Sequence, residues 1–170
     1  IGLNAVLGLA GGPACVSQLR LPPVAVATSM RVSDSLNSGV SFFMAELQRV
    51  KSIVDQAKKL DSDPASAPRL LYLLDEILQG TNSAERHVAV VRILQHLLHT
   101  NALGAVSTHD LELASAAEIQ GTCQLVHLRE TIEKTSEGET MRFDYVLREG
   151  VTPTTNAIRL LDLVGLKEFE

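Results

Sequence analysis

Tryptophan is absent from this 170-residue chain, and the aromatic complement stops at four phenylalanines and two tyrosines. Six rings do not build a platform on which unpaired bases stack. Positive charge is also scarce: 15 Lys and Arg face 20 Asp and Glu, a formal net charge of −5, which argues against a nucleic-acid surface made by this stretch alone. No apolar run approaches the roughly 20 residues of a membrane-spanning helix. Cysteine is limited to Cys15 and Cys123, far apart and without a CxxC pair. That excludes a disulfide framework and fits a reduced, cytoplasmic setting, or a nuclear one in a eukaryote. What remains is 45% hydrophobic, enough for a chain of this size to bury a core without staples or metal. The first residue is Ile1, and the apolar opening to Ala10 lacks a basic flank, so it reads as an internal helix rather than a secretory leader. The chain is expected to be a piece of a longer one.

Periodicity divides the chain into alternating elements. A helix is expected over Ile1–Leu9, stopped by Gly11, Gly12 and Pro13, and a short buried strand over Val24–Ala27. Phe43, Leu47, Val50, Val54 and Ala57 recur at three- and four-residue spacing, which predicts an amphipathic helix from Ser41 to Lys59. Asp61–Pro68 is an exposed linker by composition, and the continuous run Leu70–Leu74 marks a strand buried on both faces. A second amphipathic helix follows from Ser83, its cap, to His99, with Val88, Val91, Leu94 and Leu98 on one face. Leu103–Thr108 reads as another buried strand, and a short helix runs on from His109 to Ala117. Gln124–Leu128 and Met141–Leu147 alternate like antiparallel strands around a polar turn at Thr135–Glu139, and Thr154–Val164 reads as a last helix. The acidic run Glu130–Glu139 reads as solvated loop. Strands alternating with helices, then a hairpin, predict one α/β domain over residues 1–170: a mainly parallel sheet flanked by helices, with an antiparallel edge hairpin.

The chemistry concentrates where strands end. Leu70–Leu74 runs directly into Asp75 and Glu76, and the C-terminal edge of a parallel sheet is where ligands bind. One carboxylate there can hold Mg²⁺ through water, and the next can polarise a water for attack on phosphorus. The plainer alternative is that the pair caps the following turn. Gly80-Thr81-Asn82 forms a tight polar turn before a helix, suited to contacts across a subunit boundary. Ser107-Thr108-His109-Asp110 ends the next strand, and parallel pairing would bring His109 beside Glu76, where an imidazole can reach a γ-phosphate or its water. Upstream, Asp34–Phe43 is a polar, glycine-containing loop entering a helix, a setting that attracts phosphate or merely caps. His96 and His99 share a helix face but lack a third ligand at zinc-like spacing, and no GxSxG elbow occurs.

Three segments in order, SMRVSDSLNSGVSFFMAEL, LLYLLDEILQGTN and GAVSTHDLELA, resemble the ATPase domain of the MutS family of DNA mismatch-repair proteins, a P-loop NTPase of the ABC type. The likeness runs from Ile1 to about Leu166. It implies ATP and Mg²⁺ as cofactors, with Asp75 similar to the Walker B aspartate, Glu76 to the general base and His109 to the switch histidine. It further implies that Ser41, or alternatively Ser38, in the segment that holds Gly39, reaches the nucleotide of a partner subunit, that Asn82 belongs to the same composite site, and that Tyr145 stands near the adenine. Such domains form homodimers or family heterodimers, and DNA would be handled by regions outside this chain.

One family element is missing. No GxxxxGK[ST] occurs, and none of Lys51, Lys58, Lys59, Lys134 and Lys167 follows such a loop. In the family it lies directly before the helix that Ile1–Leu7 resembles, so the chain is expected to lack the first strand and the phosphate cradle. By itself it should then bind nucleotide weakly and turn over little ATP. The alternative is a non-catalytic dimerisation or interaction module with a degenerate nucleotide site.

Overall fold

A computed structural model describes residues 1–30, 42–62, 68–135 and 138–152. Two compact units are present, Ile1–Gln120 and Gly121–Glu170.

The first unit opens with helix α1 (Gly2–Leu9). Its end follows from two glycines. Gly11 takes φ +75°, which glycine adopts without a Cβ clash, and Gly12 N–H donates to the Leu7 carbonyl at 2.8 Å while Gly11 N–H donates to that of Gly8 at 3.1 Å. Strands β1 (Val24–Ser29), β2 (Arg69–Asp75) and β3 (Leu103–Ser107) then form a parallel sheet in the order β1-β2-β3. Helices α2 (Phe42–Asp61) and α3 (Ser83–Leu98) are the crossovers that parallel pairing requires.

β2 is central, and its alternation explains the unbroken apolar run: Leu70, Tyr72 and Leu74 are buried, while Leu71 and Leu73 on the other face are half-buried. α2 buries Val50, Ile53, Val54 and Ala57 against this sheet, with Phe43 and Leu47 partly covered beside them. The expected stripe holds, with two additions, Ile53 and Glu46, which are buried in it. α3 is rotated from expectation. It buries Val90, Val91, Ile93, Leu94 and Leu97, whereas Val88 is exposed. The three-four spacing could be started at 88 or at 90, and only packing into the common core selects the second. Each fully buried aliphatic side chain contributes about 1.5–3 kcal/mol relative to exposure.

β3 departs from the buried strand expected, since four of its five residues are exposed. It is an outer strand among the described residues, and small residues replace bulk: the Tyr72 ring lies across its register partner Gly104, where an added Cβ would fall 2.1 Å from the ring.

In the second unit the strands expected over Gln124–Leu128 and Met141–Leu147 are found in part, but they do not pair with each other. β5 (Glu130–Thr135) pairs antiparallel with β6 (Gly138–Phe143), while β4 (Val126–His127) pairs with β7 (Arg148–Glu149). The described residues of the acidic run, 130–135 and 138–139, are therefore strand, not loop. The run's charges mask the alternation because Glu133 and Arg142 pair across the ladder at 3.2 Å. The antiparallel pairs form their own two-stranded sheets rather than an edge of the parallel one. The helix expected at Thr154–Val164 lies outside the described residues. No described helix is long and apolar enough to cross a membrane.

Candidate functional site

The site is built by register. β2 and β3 run parallel with Asp75 opposite Ser107, so the residues following each strand emerge at one sheet edge. The pairing continues one step further, with Glu76 N–H donating to the Ser107 carbonyl at 3.1 Å. Ser107 Oγ donates to Asp75 Oδ1. Asp75 is exposed and presents oxygen donors alone, the chemistry Mg²⁺ selects when a carboxylate and substrate phosphates share the ion. The donor set fits Mg²⁺.

Glu76 leaves the strand at φ +45°, and Leu78 follows at φ +62°. A left-handed backbone on residues with a Cβ persists only where its surroundings hold it. Here Ile77 and Leu78, within the bend itself, are buried in the core. The bend turns the Glu76 carboxylate toward β3, where Oε1 lies 3.3 Å from His109 Nδ1, and Oε2 accepts from Gln79 Nε2. Each carboxylate oxygen has two lone pairs, so both can still accept from a water. Glu76, Arg86, Ser107, His109 and Asp110 line a cleft of about 10 Å³, room for roughly one water.

His109 itself is exposed, and its neighbour Asp110 fixes the loop. Asp110 Oδ1 accepts from Glu112 N–H at 3.1 Å, capping the single 3₁₀ turn Leu111–Ser115, and Oδ2 lies 3.0 Å from His87 Nδ1 on α3. Burial alone would raise the Asp110 carboxyl. The hydrogen bond from His87, the Glu112 N–H and the charge of His87 outweigh it and bring the group below its usual range. The short helix expected after His109 is thus a 3₁₀ turn capped by Asp110.

Of the expected residues, Asp75, Glu76 and His109 come together. Asn82 stands at the start of α3, where its Oδ1 accepts from Glu85 N–H at 2.9 Å. The cap is therefore Asn82 and not Ser83, because Ser83 is already the first helical residue. Tyr145 belongs to the second unit, at φ +55° and exposed, with its ring centroid 6.2 Å from that of Phe143. Ser38, Gly39 and Ser41 lie outside the described residues.

Sequence reasoning passed over Glu46, Arg86 and His87. Arg86 and His87 carry no motif. Glu46 sat inside an apolar stripe, and a buried acid in such a stripe is a signal that could have been read. His87, Asp110 and Glu112 also bring three ligand-type atoms within 4.8 Å of one another. His99 caps its own helix through Nδ1 on the Gln95 carbonyl at 2.6 Å.

Fold and site together define an α/β domain with an acidic pair and an imidazole at the C-terminal edge of a parallel sheet. Residues 2–168 match the family model described as MutS domain V, and the chain belongs to that family. It is 30% identical over 172 residues to the DNA mismatch repair protein MutS of Aquifex pyrophilus, covering 99% of this chain and 18% of that protein. It is 29% identical over 172 residues to the DNA mismatch repair protein msh3 of Aspergillus niger, covering 97% of this chain and 15% of the relative. Against the protein of the same description from Aspergillus terreus the identity is 28% over 170 residues, covering 98% and 14%. The chain thus spans under a fifth of the length of these relatives.

Proposed function

We propose that this chain is the larger part of an ATP-hydrolysing domain in a MutS-type DNA repair protein, a P-loop NTPase of the ABC kind. The observation that carries the reading is the meeting of Glu76 and His109, 3.3 Å apart, beside Asp75 at one sheet edge. Asp75 would hold Mg²⁺, which when bound neutralises phosphate charge. Glu76 accepts a proton from the water it orients through a free lone pair. His109, with Nδ1 3.3 Å from Glu76, would offer its imidazole to a phosphoryl oxygen.

The remaining assignments follow from the family likeness. Ser41, Ser38 and Gly39 reach a partner subunit's nucleotide, Asn82 lies at the same boundary, and Tyr145 stands near the adenine. The phosphate-cradling loop comes from sequence upstream, DNA is engaged by other regions, and the working unit is a homodimer or family heterodimer. The test is ATP turnover by the full-length gene product. Glu76→Gln should retain ATP binding and lose turnover by about a hundredfold or more. A wild-type protein that neither binds nor hydrolyses ATP would overturn the reading in favour of a non-catalytic interaction module.

A further inference from the structure

One buried acid is used by none of the chemistry above. Glu46 is only 4% exposed, one turn into α2, and its Oε1 accepts the backbone N–H of Leu78 at 2.5 Å. Its Oε2 is buried with no hydrogen-bond partner among the described residues. A carboxylate so placed costs stability relative to an apolar residue in the same stripe. What it obtains is a grip on a particular atom. Leu78 N–H belongs to the second left-handed residue of the bend whose first is Glu76, and a bend of this kind keeps its shape only when such contacts fix it. The same stretch touches α2 again at Gly80, where a Cβ would lie 2.9 Å from the Phe42 ring and 3.3 Å from the Phe43 nitrogen. The first turns of α2 therefore seat the whole segment from Glu76 to Gly80.

From this we infer that Glu46 is the positioning residue for Glu76: its carboxylate sets the bend that aims the Glu76 carboxylate at His109 and the water. This inference rests on the ATPase reading above and adds a residue to it.

Two conservative variants of the full-length gene product separate reach from charge. Glu46→Asp keeps the charge but withdraws it by one methylene from Leu78 N–H. Glu46→Gln keeps an acceptor at the same reach without the charge. Glu46→Asp should lower kcat about tenfold with KM for ATP within about twofold, and Glu46→Gln should stay within about threefold of wild type. Backbone amide exchange at Leu78 should accelerate in the Asp variant and hold in the Gln variant. Full kcat in Glu46→Asp, or an equal or larger loss in Glu46→Gln, overturns the inference while leaving the ATPase reading intact. An inactive wild type overturns that reading itself.

Discussion

Residues 1–120 are fixed by what they bury, residues 121–152 by what they pair at the surface. In the first unit β2 lies under α2, α3 packs against α2, and the segment after β2 is pinned by two buried side chains, Ile77 and Leu78. In the second, Leu125, Val126, Leu128, Phe143, Val146 and Leu147 are all exposed. There the fixed points are polar: Arg148 grips Asp144 through both guanidinium nitrogens at 3.1 and 2.6 Å, and His127 Nδ1 meets the Gly150 carbonyl at 3.0 Å. Burial can hold a strained backbone, because loosening it exposes apolar surface. An exposed ion pair is worth little in water, so it orients a loop without anchoring a core. The acidic pair and imidazole stand on the part that burial holds.

The sharpest way to break this contrast is a core truncation. Leu97→Ala, at a position 1% exposed, should lower the unfolding free energy by about 2–5 kcal/mol. Val126→Ala should stay within about 0.5 kcal/mol in the same urea titration. Similar losses would erase the distinction. Gly104→Ala tests packing by addition, since its Cβ would fall 2.1 Å from the Tyr72 ring. A loss of about 1–3 kcal/mol is expected, with partial recovery when Tyr72 is shortened to Val.

A smaller effect comes from the pair behind His109. The Asp110 carboxyl lies below its ordinary value of 3.8 in the folded chain. Its contribution is therefore present above that pH and disappears as pH falls through the folded value. Asp110→Asn should cost about 1 kcal/mol at pH 7, and the difference from wild type should shrink toward zero in denaturation at progressively lower pH. The smallest effect belongs to the second unit. The hydrogen bond from Arg148, the Val146 N–H and the Arg148 charge hold the Asp144 carboxyl at about 2. Arg148→Ala should return that titration toward 3.8, followed by carboxyl carbon NMR, without changing the stability of residues 1–120.

The strand ends were readable because chemistry there is written in adjacent letters: an apolar run stopped by Asp75-Glu76, another stopped by Ser107 to Asp110. Parallel pairing of the two strands was enough to place Glu76 and His109 at one sheet edge. The parts that escaped depend on contacts distant in sequence. Nothing local distinguishes a helix face begun at Val88 from one begun at Val90. Likewise nothing near Glu130 announces that it faces Phe143. His87 reaches Asp110 across 23 positions, and Glu46 reaches Leu78 across 32. Pairings of that range come from the tertiary arrangement, which local propensity does not encode.

The left-handed turn at Glu76 sets two demands on one residue against each other. Glycine would sit at φ +45° at ease, yet glycine has no carboxylate to offer the neighbouring imidazole. A change that relaxes the backbone here also removes the acid. Selection for durability alone would thus pull this position away from the very group that gives the sheet edge its chemistry.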